Sequence, residues 1–130
     1  MLKEKARYYY LTQGRSCSES ILMAASDVYG LNVTDEEIQL FAGFRGGMGC
    51  GSTCGCLTGA MGALSRKYAG REDLKDICGK FVAVFREKLA ADSIDCSVLE
   101  PKYKNEEVRC GITVGLAADA LSAYIQELDV

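Results

Sequence analysis

The sequence predicts an all-α protein, a compact bundle of about five to six helices with a glycine- and cysteine-rich turn leading into a central helix. Three observations predict it. Apolar residues recur at helical spacing through most of the chain, no segment alternates as a half-buried strand would, and capping signals mark where helices begin. The 130 residues are 48% apolar and 25% charged, a globular composition whose length suits one helical domain over residues 1–130.

The elements follow in order. Lys3 to Thr12 carries helix formers and a tyrosine run, stopped by Gly14. Ser16 and Glu19 have capping-box spacing, and Ile21, Ala24, Ala25 and Val28 then form one apolar stripe that ends at Gly30. Thr34 and Glu37 make a second box before Ile38, Leu40, Phe41 and Phe44, with Gly46 and Gly47 breaking that helix. The turn MGCGSTCGCLTG, residues 48–59, runs into a helix expected to reach about Ala69. Gly55, Gly59 and Gly62 lie inside it near one face, where each costs roughly 1 kcal/mol against alanine. The use of such glycines is close approach of another backbone. After Gly70, Arg71 to about Ala91 forms a long amphipathic helix with Leu74, Ile77, Cys78, Phe81, Phe85 and Leu89 inward. A connection containing Cys96 and Pro101 follows, and Asn105 is placed to cap a last helix from about Glu107 to Leu128.

Several classes are set aside by composition. A formal net charge of -3 lacks the basic footprint that nucleic acid requires. No apolar run approaches the length of a membrane span, so no membrane insertion is expected. The first residues do not read as a signal peptide, which makes the cytoplasm the expected compartment. The absence of histidine removes histidine-based triads and imidazole ligands. The spacing of Gly49, Gly51 and Gly55 resembles a phosphate loop only loosely, with no preceding strand.

Seven cysteines remain to be explained. An odd number argues against a fully paired secreted scaffold, and in a reducing compartment dense cysteine points to metal or thiol chemistry. Helix period sorts them. Cys17 and Cys54 lie inward at expected helix starts, Cys110 begins the apolar stripe of the last helix, and Cys96 sits in the loop before it. Helix N-termini favour negative charge, and thiolate is the form that binds metal or attacks a disulfide. Cys50 is one turn before Cys54 and could join the group. Cys56 falls on the opposite side of its helix from the Met61/Tyr68 stripe, and Cys78 lies in the Leu74/Phe81/Phe85 stripe. Both read first as core. No C-x2-C knuckle is present, so any shared site must be assembled from distant segments.

At Cys54-Gly55-Cys56-Leu57-Thr58-Gly59 the chain resembles the C_GCAxxG_C_C family of redox-active proteins, and the likeness covers nearly its whole length. The resemblance implies a small helical protein with cysteines matching Cys17 in SCSESIL, Cys54 in STCGCLTG, Cys96 in SIDCSVL and Cys110 in VRCGITV. These are the four selected by the helix faces. Two departures stand out. The family commonly has alanine after Gly55, where this chain has Cys56, and Cys50 and Cys78 are extra.

The leading expectation is an iron–sulfur cluster of the 2Fe–2S type held by Cys17, Cys54, Cys96 and Cys110, with Cys50 as a substitute ligand, passing single electrons. Gly55 and Gly59 would admit neighbouring backbone around it. One alternative is a metal-free thiol–disulfide protein with Cys54 as nucleophile and Cys17, Cys50 or another neighbour resolving. Another is structural zinc on the same cysteines. A redox partner protein is implied without being specified. A homodimer is compatible with a helical protein of this size, and nothing in the sequence defines a substrate or an enzymatic step.

Overall fold

The computed structural model describes residues 1–130, and the chain is all-helical. Helix α1 spans Leu2–Leu11, α2 Cys17–Tyr29, α3 Asp35–Gln39, α4 Gly55–Lys67, α5 Leu74–Lys88, α6 Cys96–Tyr103 and α7 Gly111–Leu128. A single 3-10 turn, Ala42–Phe44, and a wide glycine turn, Gly47–Gly51, lie between α3 and α4. No helix is long and apolar enough to cross a membrane.

The expected starts of α2 and α3 are present as full capping boxes. The Ser16 N–H donates to Glu19 Oε1 at 3.0 Å while the Glu19 N–H donates to Ser16 Oγ at 3.3 Å. Thr34 and Glu37 repeat the exchange, and Gly30 closes α2 in the left-handed region at φ 64°. These reciprocal bonds satisfy donors that a helix start otherwise leaves open.

One apolar cluster runs through the molecule, with Ile21, Leu64, Phe81, Phe85, Leu89 and Leu121 fully enclosed. Helix α4 packs on α2, α5 and α7, so it is central as expected. Its closest contact is with α2. A Cβ on Gly59 would stand 2.4 Å from the Ser18 carbonyl oxygen, closer than real contacts allow, so only glycine lets the two backbones meet there. A Cβ on Gly55 would stand 3.2 Å from the Cys17 Cβ, a tight fit that draws the starts of α2 and α4 together.

Three boundaries differ from the sequence expectation. Helix α3 stops after Gln39, and Leu40 is exposed instead of joining an inward stripe. Residues 96–103, expected as a connection, form α6 with Pro101 inside. That helix has only Leu99 buried and no apolar stripe to announce it. It is fixed from outside, because Lys102 Nζ and the Tyr103 hydroxyl both donate to the Leu89 carbonyl that ends α5, at 3.1 and 2.5 Å. Helix α7 begins at Gly111 and not near Glu107. Asn105 caps a separate turn instead, its Oδ1 accepting the Val108 N–H at 2.8 Å, and Arg109 turns the chain at φ 51°.

Candidate functional site

The corrected boundaries place four helix starts together. Cys17 is the first residue of α2 and Cys96 the first of α6, while Cys54 is the N-cap of α4 and Cys110 the N-cap of α7. All four line one cavity of about 210 Å³. Gly55 lines it as well, and Gly59 lies one turn further along α4 against Ser18.

Local backbone chemistry puts each sulfur there. The capping box fixes the first turn of α2 beneath Cys17. The glycine turn carries positive φ at Gly46, Gly47, Met48, Gly49 and Gly51, which folds the chain back before α4. At Gly47 a Cβ would meet the Cys96 Cβ and the Ser52 oxygen, each at 2.6 Å, so that glycine also makes room for Cys96. The Cys54 N–H donates to the Ile94 carbonyl at 2.8 Å and the Cys96 N–H to the Ser52 carbonyl at 2.6 Å, which ties those two cysteines side by side. The Cys110 N–H donates to the Tyr10 hydroxyl at 3.1 Å, and Arg109 lies over the Tyr10 ring while donating to the Tyr10 carbonyl.

The sulfurs are electrostatically unequal. Hydrogen bonds from the Cys110 and Cys56 thiols, helped by the Arg45 charge, hold Cys17 well below the usual thiol range against the penalty of burial. Cys54 is lowered too, chiefly by the Cys56 thiol. The N–H groups of Cys56 and Leu57 also favour the Cys54 anion, although they form no standard cap bond with it. The donors move the other way. Cys56 and Cys110 are raised, mainly by those hydrogen bonds to Cys17. Burial, together with a 3.3 Å hydrogen bond to Glu100 Oε1, pushes Cys96 up to about 12.

Cys56 is a core residue, as expected from the sequence, and its thiol also influences the cavity cysteines. It is completely buried, and its interaction with Cys17 and Cys54 raises its own thiol while favouring their anions. Helix α4 is enclosed on more than one side, so the face opposite Met61 looks into α2 and not outward. The spacing of Cys56, Gly59, Ala60 and Ala63, all fully buried or nearly so, was the available sign of that second contact. Cys50 lies apart from the others. It is exposed, with its sulfur 3.7 Å from the Gly47 oxygen, and does not line the cavity. Cys78 sits half-buried on α5 against the core, also outside the cavity.

The cavity wall includes Arg15, Arg45, Glu100, Lys104 and Arg109, which helical periodicity alone gave no reason to select. No three cysteine or carboxylate side chains are grouped as a single metal ion requires. The four cysteines share the wall of that cavity with fifteen other residues. Four cysteine thiols are, by their chemistry, the donor set that an iron–sulfur cluster takes.

This fold and the placement of its cysteines define an all-α protein with four buried or partly buried cysteines lining one cavity at converging helix N-termini. The family model described as "Putative redox-active protein (C_GCAxxG_C_C)" matches residues 15–124, and the chain belongs to that family. The matched span takes in all four cavity cysteines. No curated relative and no solved structure matches the chain.

Proposed function

We propose that this protein is a one-electron carrier whose Cys17, Cys54, Cys96 and Cys110 hold an iron–sulfur cluster of the 2Fe–2S type. The observation that carries the reading is that the four cysteines, separated by up to most of the chain length, line the same cavity. Such a cluster accepts and releases single electrons when bound. The chain's own residues would supply four thiolates and stabilise their negative charge with helix N-termini and the Arg45 charge. The partner is then another redox protein, and a reducing compartment such as the cytoplasm suits seven unpaired cysteines.

The test is anaerobic purification followed by visible and electron paramagnetic resonance spectroscopy before and after dithionite. Brown protein that bleaches and gains a paramagnetic signal supports the cluster. A colourless protein that binds zinc and shows no reversible reduction opposes it.

A second reading is favoured by Cys17, which the neighbouring Cys110 and Cys56 thiols hold well below the usual thiol range. In the metal-free chain, the Cys17 thiolate would attack a substrate disulfide, forming a mixed disulfide and expelling one thiolate. A neighbouring thiol, on losing its proton, would attack the Cys17 sulfur of the mixed disulfide and expel the substrate's second thiolate, leaving an internal disulfide and a reduced substrate. This reverses the expected roles, since Cys17 and not Cys54 carries the stronger anionic character. Reversible disulfide formation without bound iron would favour it.

A further inference from the structure

The cavity mouth is charged opposite to the molecule. The chain has a formal net charge of -3, yet the wall of the cysteine cavity holds Arg15, Arg45, Lys104 and Arg109 against a single carboxylate, Glu100. The cations come from separate segments: the loop before α2, the bend before the glycine turn, and the connection between α6 and α7. They are spread around the opening and not gathered on one element.

Their neighbours leave a positive excess. Glu19 lies 4.0 Å from both Arg15 and Arg45, and it is already committed to the α2 capping box. Glu100 lies 3.7 Å from Lys104 and also accepts from the Cys96 thiol. Glu106 borders Lys104 and Arg109 on the outer side. Arg109 is otherwise bound to Tyr10, through a carbonyl and a ring that carry no charge.

We propose that this rim is a docking surface for an acidic face of a partner redox protein, and that electrons leave the cysteine centre through it. The inference rests on the redox reading above. Three observations favour a protein surface over a captured small anion. Arg45 is 67% exposed, Lys104 48% and Arg15 43%, so no cation is enclosed as a built anion pocket would need. Exposed cations at several points steer and register an opposing charged surface more than they retain one small ion. The next four depressions on the molecule contain no cysteine, so this mouth is the direct approach to the sulfurs.

Whole-molecule and local charge predict opposite results, which makes the test decisive. Anaerobically purified protein is reduced with dithionite, freed of excess reductant and mixed in stopped flow with ferricyanide, an anionic oxidant. One electron leaves the centre, ferricyanide becomes ferrocyanide, and no bond is made or broken. Hexaammineruthenium(III) is the cationic counterpart, and an acidic flavodoxin is the macromolecular probe. A cationic rim makes the ferricyanide rate fall about tenfold between about 10 mM and about 300 mM salt, despite the net negative chain. The flavodoxin rate falls more steeply, because several carboxylates engage at once. The double variant Arg45→Glu, Lys104→Glu reverses the ferricyanide slope. Lys75→Glu, Arg86→Glu on α5, with the same change in net charge, leaves it in place and controls for folding.

A wild-type ferricyanide rate that rises with salt would overturn the proposal, as would equal behaviour of the two double variants. Saturation at micromolar ferricyanide would make the rim a small-anion site and overturn it as well. Reduced protein that gives electrons to no oxidant would contradict the redox reading itself, and this proposal with it.

Discussion

At the Cys17 sulfur, two thiol hydrogen bonds and the Arg45 charge outweigh the penalty of burial, and the anion is favoured. At Cys96 burial and the Glu100 carboxylate act together, so the neutral thiol persists up to about 12. The direction of each shift fixes the reactivity of metal-free protein. A lowered thiol keeps its reactive thiolate as pH falls, whereas a raised one lacks it until pH is high. Brief iodoacetamide treatment at pH 6 should therefore label Cys17 and leave Cys96 unmodified, as read by peptide mass spectrometry. Preferential labelling of Cys96 would contradict the assignment. Cys17, Cys54 and Cys110 were legible in the sequence because capping residues and apolar stripes locate helix starts. Cys56 was legible as core, but its influence on Cys17 and Cys54 was not, because periodicity gives a residue's angle around a helix and not which neighbours enclose that helix. The cavity's cations were equally hidden, since an arginine in a loop leaves no periodic trace.

Between elements, the α2–α4 contact does the positioning. Gly59 lets the α4 backbone rest on Ser18, one residue beyond Cys17, and the same approach brings the starts of both helices to the cavity. Gly59→Ala should push the pair apart. The expected cost is about 1–3 kcal/mol of stability, measured by urea denaturation, and on the proposed cluster reading weaker iron retention would accompany it. An unchanged midpoint and unchanged metal content would show that the close approach is dispensable. This use of the glycines was readable, because three of them inside one helix conflict with helix propensity and require a packing reason. Helix α6 was not readable. Leu99 is its one buried residue, and hydrogen bonds from Lys102 and Tyr103 to the end of α5 hold it in place. Such a helix is specified by tertiary contacts that no local pattern records. Its existence turns Cys96 from a loop residue into a fourth cysteine at a helix start.

Across the whole molecule, four segments distant in sequence must pack before the centre exists. The all-α class and the central place of α4 follow from periodicity and from the glycine-rich turn. Convergence of the four cysteines does not, because spacing along a chain says nothing about which helix ends meet. On the proposed cluster reading, the folded arrangement would also couple loading to pH. Binding of a cluster requires thiolates, yet Cys96 and Cys110 hold their protons more strongly than ordinary thiols. Their protons must be released on loading, so lower pH opposes it. Anaerobic reconstitution with iron and sulfide should give a yield that increases from about pH 6.5 to about pH 8.5, followed by visible absorption. A yield that falls over that range would contradict the need to deprotonate these two cysteines.

The most direct measurement is iron and acid-labile sulfide per chain in anaerobically purified protein and in single serine replacements of its cysteines. A shared centre predicts equal amounts of iron and sulfide in the parent. It predicts marked loss of both in Cys17→Ser, Cys54→Ser, Cys96→Ser and Cys110→Ser, and retention in Cys50→Ser and Cys78→Ser. Parent-level iron and sulfide in the Cys17, Cys54, Cys96 and Cys110 replacements, or none in the parent after reconstitution, would contradict it.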